Sequence, residues 1–370
     1  MSEIISNVES VTTAAKIVSA QKVETSQLCI NGKNLQALKE ERAPSYKELV
    51  TRMELPEDEI WALYTDNGDI VYWHNADKMD TNLAQKAFMY AGFNQLPKGL
   101  NYEKMVQGYY TFYGCKNLTK VKQDFPALDD STYMFHSCSN LKSFKGDLSN
   151  LRRGDGMFMN SGLETFETFH LLSLKNGGAM FQDTKLTSFN IEIKNIENSS
   201  HMFRASKMIT FNSDMPLVTN ASAMFYNVPS LVSFKGNLDS LQDGVIMFEY
   251  DSALTTLDTN FPSLINGNTM FYGCSSLTSF MCKLKADDAE YSPLTNGSLM
   301  FHSCKLDAPS VENILTSLQP FTDGSEHIMT MRIQSAAVEK FNEITGNTLT
   351  LNSTYQNVPF RGWTVQVAII

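Results

Sequence analysis

One phrase constrains this chain more than any other feature. Met-Phe-x-x-Cys/Ser-x-x-Leu-x-x-Phe returns every 22 or 23 residues. It is anchored by a Met-Phe pair that occurs eight times, ending at Phe135, Phe158, Phe181, Phe203, Phe225, Phe248, Phe271 and Phe301. The successive spacings are 23, 23, 22, 22, 23, 23 and 30. Weaker copies stand at Phe112, in Thr111-Phe112-Tyr113-Gly114-Cys115, and at Phe88, in Ala87-Phe88-Met89-Tyr90. A fixed period of this length is the mark of a solenoid. Stacked units share one elongated core, so the 370 residues read as an array of about ten turns with non-repeat ends, not as two or three globular domains. Solenoids are commonly binding surfaces, which makes recognition the first functional expectation.

The residues of one turn set its frame. Leu186 to Ile193 alternates from Ser188 onward, the period of a half-buried strand. Phe189, Ile191 and Ile193 are expected inward, and Ser188, Asn190 and Glu192 outward. The Met-Phe pair lies on the return arm. Gly154, Gly156, Gly177, Gly178, Asn198, Asn220, Gly244, Gly267 and Gly297 supply turns. Stacking in register gives a parallel sheet with strands about 4.8 Å apart. The Met-Phe rings then form an aromatic spine with Met filling beside it.

Two outward rows follow from that frame. Lys120, Ser143, Thr165, Ser188, Thr210, Ser233, Thr256 and Ser279 precede the core residue of each strand. Lys122, Lys145, Glu167, Asn190, Asn212, Lys235, Asp258 and Met281 follow it. Ser and Thr are ordinary on an exposed strand face; they also suit a polar groove for sugar or protein. The one irregular spacing, Phe271 to Phe301, places extra residues in an acidic loop at 285–293, with Asp287, Asp288 and Tyr291 as candidate contacts.

Composition excludes several function classes. A net charge of −10 argues against nucleic acid recognised through a basic footprint. No stretch approaches the roughly 18 apolar residues of a membrane span. The first residues have neither a basic n-region nor an apolar h-region, so they do not read as a secretory signal. Four of the six cysteines, Cys115, Cys138, Cys274 and Cys304, share one repeat position. Ser161, Thr184, Ser206, Val228 and Asp251 stand there in other turns. The position therefore asks for a small group, and buried reduced thiols are expected, with a Cys115–Cys138 disulfide as the other reading. No paired Cys or His spacing supports a metal. There is no nucleophile elbow, phosphate loop or dinucleotide fingerprint, so no catalytic, cofactor or metal residue is assigned and the chain is read as non-enzymatic.

The stretches Phe112-Tyr113-Gly114-Cys115-Lys116-Asn117-Leu118 and Phe271-Tyr272-Gly273-Cys274-Ser275-Ser276-Leu277-Thr278-Ser279-Phe280 resemble the BspA-like leucine-rich repeat. That unit is aromatic-x-x-Cys-x-x-Leu-x-x-Ile over about 23 residues, and the likeness spans 88–306. This chain departs in using Met-Phe for the usual Ala-Phe and Phe for the frequent Ile. The resemblance implies an α/β repeat, a leucine-rich-repeat solenoid with a parallel β-sheet, displayed for recognition and often adhesion. Phrases such as Asn296-Gly297-Ser298-Leu299-Met300-Phe301 also resemble repeats in tail and fibre proteins of phages of gut bacteria. The reading that follows is a phage virion protein engaging a host-surface glycan or protein, with a bacterial surface adhesin as the alternative and a polysaccharide-active enzyme as a third.

The expected division is an N-terminal region at 1–86, the solenoid at 87–306 and an α/β C-terminal cap at 307–370. Ile4, Val8, Val11, Ala15 and Val18 form one helical stripe. It packs on its own chain, or else mediates homo-oligomerisation or docking to other virion proteins. A capping box at Ser45-Tyr46-Lys47-Glu48 predicts a helix to about Glu54. Asn67-Gly68 between two apolar runs predicts a hairpin. Helices near 308–318 and 337–344 and strands at 329–333 and 363–369 are expected to cover the open end.

Overall fold

The structure is a computed structural model. It describes residues 28–30, 33–34, 61–65 and 70–74 as backbone strands, and residues 85–92, 94–97, 100–351 and 353–370 with their side chains. The helical stripe of residues 4–18 and the helix predicted from Ser45 lie outside the described residues. The chain divides into two compact units, one ending at Phe169 and one running from His170 to Ile370.

The first unit opens with an antiparallel sheet of β1 (Leu28–Ile30), β2 (Lys33–Asn34), β3 (Trp61–Thr65) and β4 (Ile70–His74), in the order β2-β1-β3-β4. The β3–β4 pair is the hairpin read from Asn67-Gly68. The repeat turns follow. Their strands, β5 (Lys120–Lys122), β6 (Ser143–Lys145) and β7 (Thr165–Glu167), pair in parallel without register shift. Inside them the Met-Phe arm builds the spine. The ring centroids of Phe88, Phe112, Phe135 and Phe158 stand 5.5, 5.3 and 5.6 Å apart with planes within 12° of parallel. The strand residues Phe144 and Phe166 meet Phe158 edge to face at 5.2 and 5.6 Å, the favoured geometry for aromatic pairs.

The second unit repeats the scheme with β8 (Ser188–Phe189), β9 (Thr210–Asn212), β10 (Ser233–Lys235) and β11 (Thr256–Asp258), all parallel. Its spine, Phe181 to Phe301, keeps centroid steps of 5.3 to 5.6 Å. The seven-residue excess before Phe301 leaves no mark on it: Phe271 and Phe301 still stack at 5.4 Å and 7°. All eight Met of the Met-Phe pairs are buried. A column of side-chain caps closes the turns. The Oδ1 atoms of Asn198, Asn220, Asp243, Asn266 and Asn296 each accept the backbone N–H two residues on, satisfying a donor the bend would otherwise orphan.

The strands are shorter than the alternation predicts. Pairing ends at Phe189, Asn190 lies beyond the strand and Ile191 is only half-buried. A parallel strand lasts only while both neighbours keep its register, and here the chain bends after two or three residues, so Ile193 reaches the core from the loop.

The unit ends in a different sheet, ordered β12-β13-β15-β14, of β12 (Gly297–Leu306), β13 (His327–Ile333), β14 (Gln356–Phe360) and β15 (Trp363–Ile369). It starts inside the last Met-Phe phrase. Helix α1 (Ala308–Ser317) begins at Asp307, whose carboxylate accepts the Ser310 N–H at 3.0 Å. Helix α2 (Val338–Thr345) stops at Gly346, which takes the left-handed conformation a C-terminal cap requires.

Candidate functional site

The strand rows come together within each unit. In the first, Lys120 aligns with Ser143 and Thr165, and Lys122 with Lys145 and Glu167. In the second, Ser188, Thr210, Ser233 and Thr256 form one row, and Asn212, Lys235 and Asp258 the next. In the three-residue strands the central residue is buried, or half-buried at Phe166 and Leu257, and its flanks are half or fully exposed. Ser279 and Met281 lie outside any strand, and Met281 is 60% exposed.

Ion pairs cross the strands. Lys145 meets Glu167 at 2.8 Å and Lys235 meets Asp258 at 3.0 Å. The hydrogen bond, and then the charge, of each acidic partner raises the pKa of both lysines, and Lys145 lowers that of Glu167 in return. All four side chains are solvent-exposed, so these pairs contribute little to stability and can open toward a ligand.

At the C-terminal end of β10 and β11 the rows border a groove of about 440 Å³. Lys235 and Asp258 line it with Asp214, Asn237, Asp239, Asn260 and Met281. Its polar groups are already ordered. Asp214 accepts the Asn237 N–H at 3.0 Å, Asn260 accepts the Lys283 N–H at 2.8 Å, and Asn237 Nδ2 donates to Asp239 at 2.8 Å. The strand rows alone did not point to Asp214, Asn237 and Asn260, yet these recur at a spacing of 23, so the period held the signal. Acidic and amide side chains fixed beside one cation suit a ligand rich in hydroxyls. Among the described residues no group of three or more His, Cys, Asp or Glu could hold a metal ion.

The 285–293 loop is fastened at several points. Asp287 pairs with Lys283 at 2.5 Å, which lowers the pKa of its carboxyl. Ser292 N–H donates to Ser317 O at 2.9 Å, and the Arg361 guanidinium lies over the Tyr291 ring at 5.6 Å. Asp288 is left exposed.

Where the shared repeat position holds cysteine, the thiol makes a bond that small size alone does not explain. Cys115, Cys138, Cys274 and Cys304 are buried and unbridged, so no disulfide joins Cys115 to Cys138. Each thiol donates to the Phe carbonyl of the preceding turn, at 3.2, 3.2, 3.1 and 3.4 Å. Burial pushes the Cys138 thiol up to about 12, which removes it as a nucleophile at neutral pH.

A model of the BspA type leucine rich repeat region matches residues 81–176 and 177–290 in six copies, more than half of the chain. The chain belongs to this family. Its BspA type turns are the ones whose strands carry the exposed rows and the groove. Among solved structures it is similar to a leucine-rich repeat protein from Eubacterium ventriosum ATCC 27560, at 13% identity and a TM-score of 0.34, covering 78% of this chain and 82% of that one. It is also similar to one from Bacteroides ovatus ATCC 8483, at 14% identity and a TM-score of 0.30, covering 80% and 95%. No curated protein matches the sequence. No helix among the described residues is long and apolar enough to cross a membrane.

Proposed function

We propose that this BspA type chain is a non-enzymatic recognition protein whose strand rows contact a host-surface glycan or protein, and that it acts in a phage virion as a tail, fibre or decoration component. The observation that carries the binding reading is the groove at β10 and β11, where ordered carboxylates, amides and one lysine stand exposed on a rigid repeat frame. Preordered polar groups lose little freedom on binding. Substituting Asn212, Lys235 and Asp258 together by Ala is expected to abolish adhesion of the labelled chain to host bacteria, read by flow cytometry, at an unchanged melting temperature. Equal adhesion by parent and variant removes the strand surface from the reading.

The virion placement is supported by the resemblance of the Asn296–Phe301 phrase to phage tail and fibre repeats. In that setting residues 1–86 attach to other virion proteins or to copies of the chain. Mass spectrometry of purified particles tests it. The chain among virion proteins supports the placement; its absence, with display on the bacterial surface, favours the adhesin instead.

A further inference from the structure

A second surface lies on the Met-Phe arms of the first unit, away from the strand rows. Tyr90, Tyr109, Tyr110, Tyr113, Tyr133 and His136 gather there without entering the core. Tyr113 stacks on His136 at 4.8 Å and 11°, and Tyr110 leans on Tyr133 at 5.0 Å. Tyr90 meets Tyr113 edge-on at 5.4 Å, and Tyr109 meets Tyr110 edge-on at 4.4 Å. Tyr90 is 62% exposed and the other five are half-buried.

The backbone is arranged to seat these rings. Gly114 takes φ +68°, and a Cβ on it would stand 2.5 Å from Tyr90 Cδ1. Gly156 takes φ +59°, and a Cβ on it would stand 2.4 Å from Tyr133 Cε1. Each glycine occupies, one turn later, the position its tyrosine holds in the turn before. Both rings therefore rest on bare backbone, which fixes them in place. Tyr90, Tyr110 and Tyr133 also sit at φ 59°, 55° and 54°. That left-handed region is costly for bulky residues, and other turns fill the same positions with Ser137, Asn160, Ala179 or Ala205. Packing does not require tyrosine here, since those turns stack equally well without it.

We propose that this cluster is a binding platform for neutral sugars, the pyranose units of an uncharged glycan. Rings fixed on backbone supply contact area at little entropic cost, and their hydroxyls supply hydrogen bonds. Phenols are uncharged at neutral pH. Burial, followed by the bond to Tyr109, pushes Tyr110 up to about 12, and burial lowers the His136 imidazole toward its neutral form. Lys86 lies at the margin, 5.9 Å from the Tyr109 ring centre. A surface dominated by rings and hydroxyls, with Lys86 only at its margin, matches the apolar faces and hydroxyl edges of a neutral sugar better than it matches an acidic glycan. The platform is separate from the strand surface, so either can fail alone.

The test is affinity electrophoresis of the full chain in gels containing starch, mannan, β-1,3-glucan or, as an acidic control, alginate. Retardation is expected in at least one neutral gel. The double variant Tyr90→Ala/Tyr113→Ala should weaken it by about tenfold or more, and Lys207→Ala, an exposed change outside both surfaces, should leave it unchanged. Should the double variant melt early, the exposed single change Tyr90→Ser decides, with a several-fold loss expected. The proposal is overturned by retardation in no neutral gel, by retardation in alginate alone, or by Tyr90 variants retarded like the parent. It is equally overturned if the tyrosine changes dissociate a dimer of the chain, which would make a second copy the occupant.

Discussion

Two columns run side by side through the second unit and obey different rules. The Met-Phe column never varies from Phe181 to Phe301, whereas the column three residues downstream holds Thr184, Ser206, Val228, Asp251, Cys274 and Cys304. Both are buried. The difference is in what each neighbour demands. A spine ring is touched on both faces by rings at 5.3 to 5.6 Å, so no other shape fits. The second column asks only for a compact group: Cys274 and Cys304 donate to the Phe carbonyl of the preceding turn, Thr184 donates to Phe181 of its own turn, and Val228 has no side-chain donor at all. Burial alone does not make a position invariant; two-sided shape matching does.

Breaking the spine gives the largest expected effect. Phe225→Ala leaves a gap between Phe203 and Phe248 and is expected to cost about 3–5 kcal/mol, read by urea denaturation. A cost below about 1 kcal/mol would place the rigidity elsewhere.

The next effect tests the second column at its most discordant member. Asp251 is buried; its Oδ1 accepts the Val228 N–H at 2.7 Å, while its Oδ2 has no partner. Burial holds its carboxyl well above the ordinary carboxylate range. Because the folded value exceeds the unfolded one near ~3.9, the native state binds the proton more tightly. That contribution is complete below the unfolded value and is lost as pH rises through the folded one. Asp251→Cys, the residue of the following turn, should therefore stabilise by about 1–3 kcal/mol at pH 7.5 and by clearly less at pH 4.5. Melting curves at the two pH values decide; an equal shift at both would mean that Asp251 does not titrate between them.

A smaller effect separates size from donor. Cys274→Ser keeps a donor toward Phe248 O, whereas Cys274→Val removes it and should cost about 1 kcal/mol more, measured by chemical denaturation. Smallest of all, Lys235→Ala should change stability by less than about 0.5 kcal/mol, since its pair with Asp258 is exposed. If thermal melting shows a larger loss, the outer rows are structural as well as available.

The period made much of this legible. The spine, the inward and outward rows, the β3–β4 hairpin and helices α1 and α2 all follow from spacing, caps and turn residues. Strand length did not, because the alternation of Leu186 to Ile193 is a local signal and pairing is a property of neighbouring turns. The groove residues Asp214, Asn237 and Asn260 were readable only by laying the turns over one another. The same holds for the tyrosine–glycine matches, where Tyr90 and Gly114 mean little until they share a column. Asp251 shows the opposite failure. Its place in the column was plain, but an acid among small residues reads as tolerance, and only the fold shows that it is enclosed.

The stack of Phe271 on Phe301 carries a consequence for how such a chain changes over time. Although the intervening segment is longer than every other, the two rings meet with the geometry of any other pair. Each turn offers the same docking face above and below, so a whole cassette can be lost, duplicated or padded and the remaining turns still close on one another. Length is then a quantity that recombination adjusts in steps, while the exposed side chains drift within a frame that does not move.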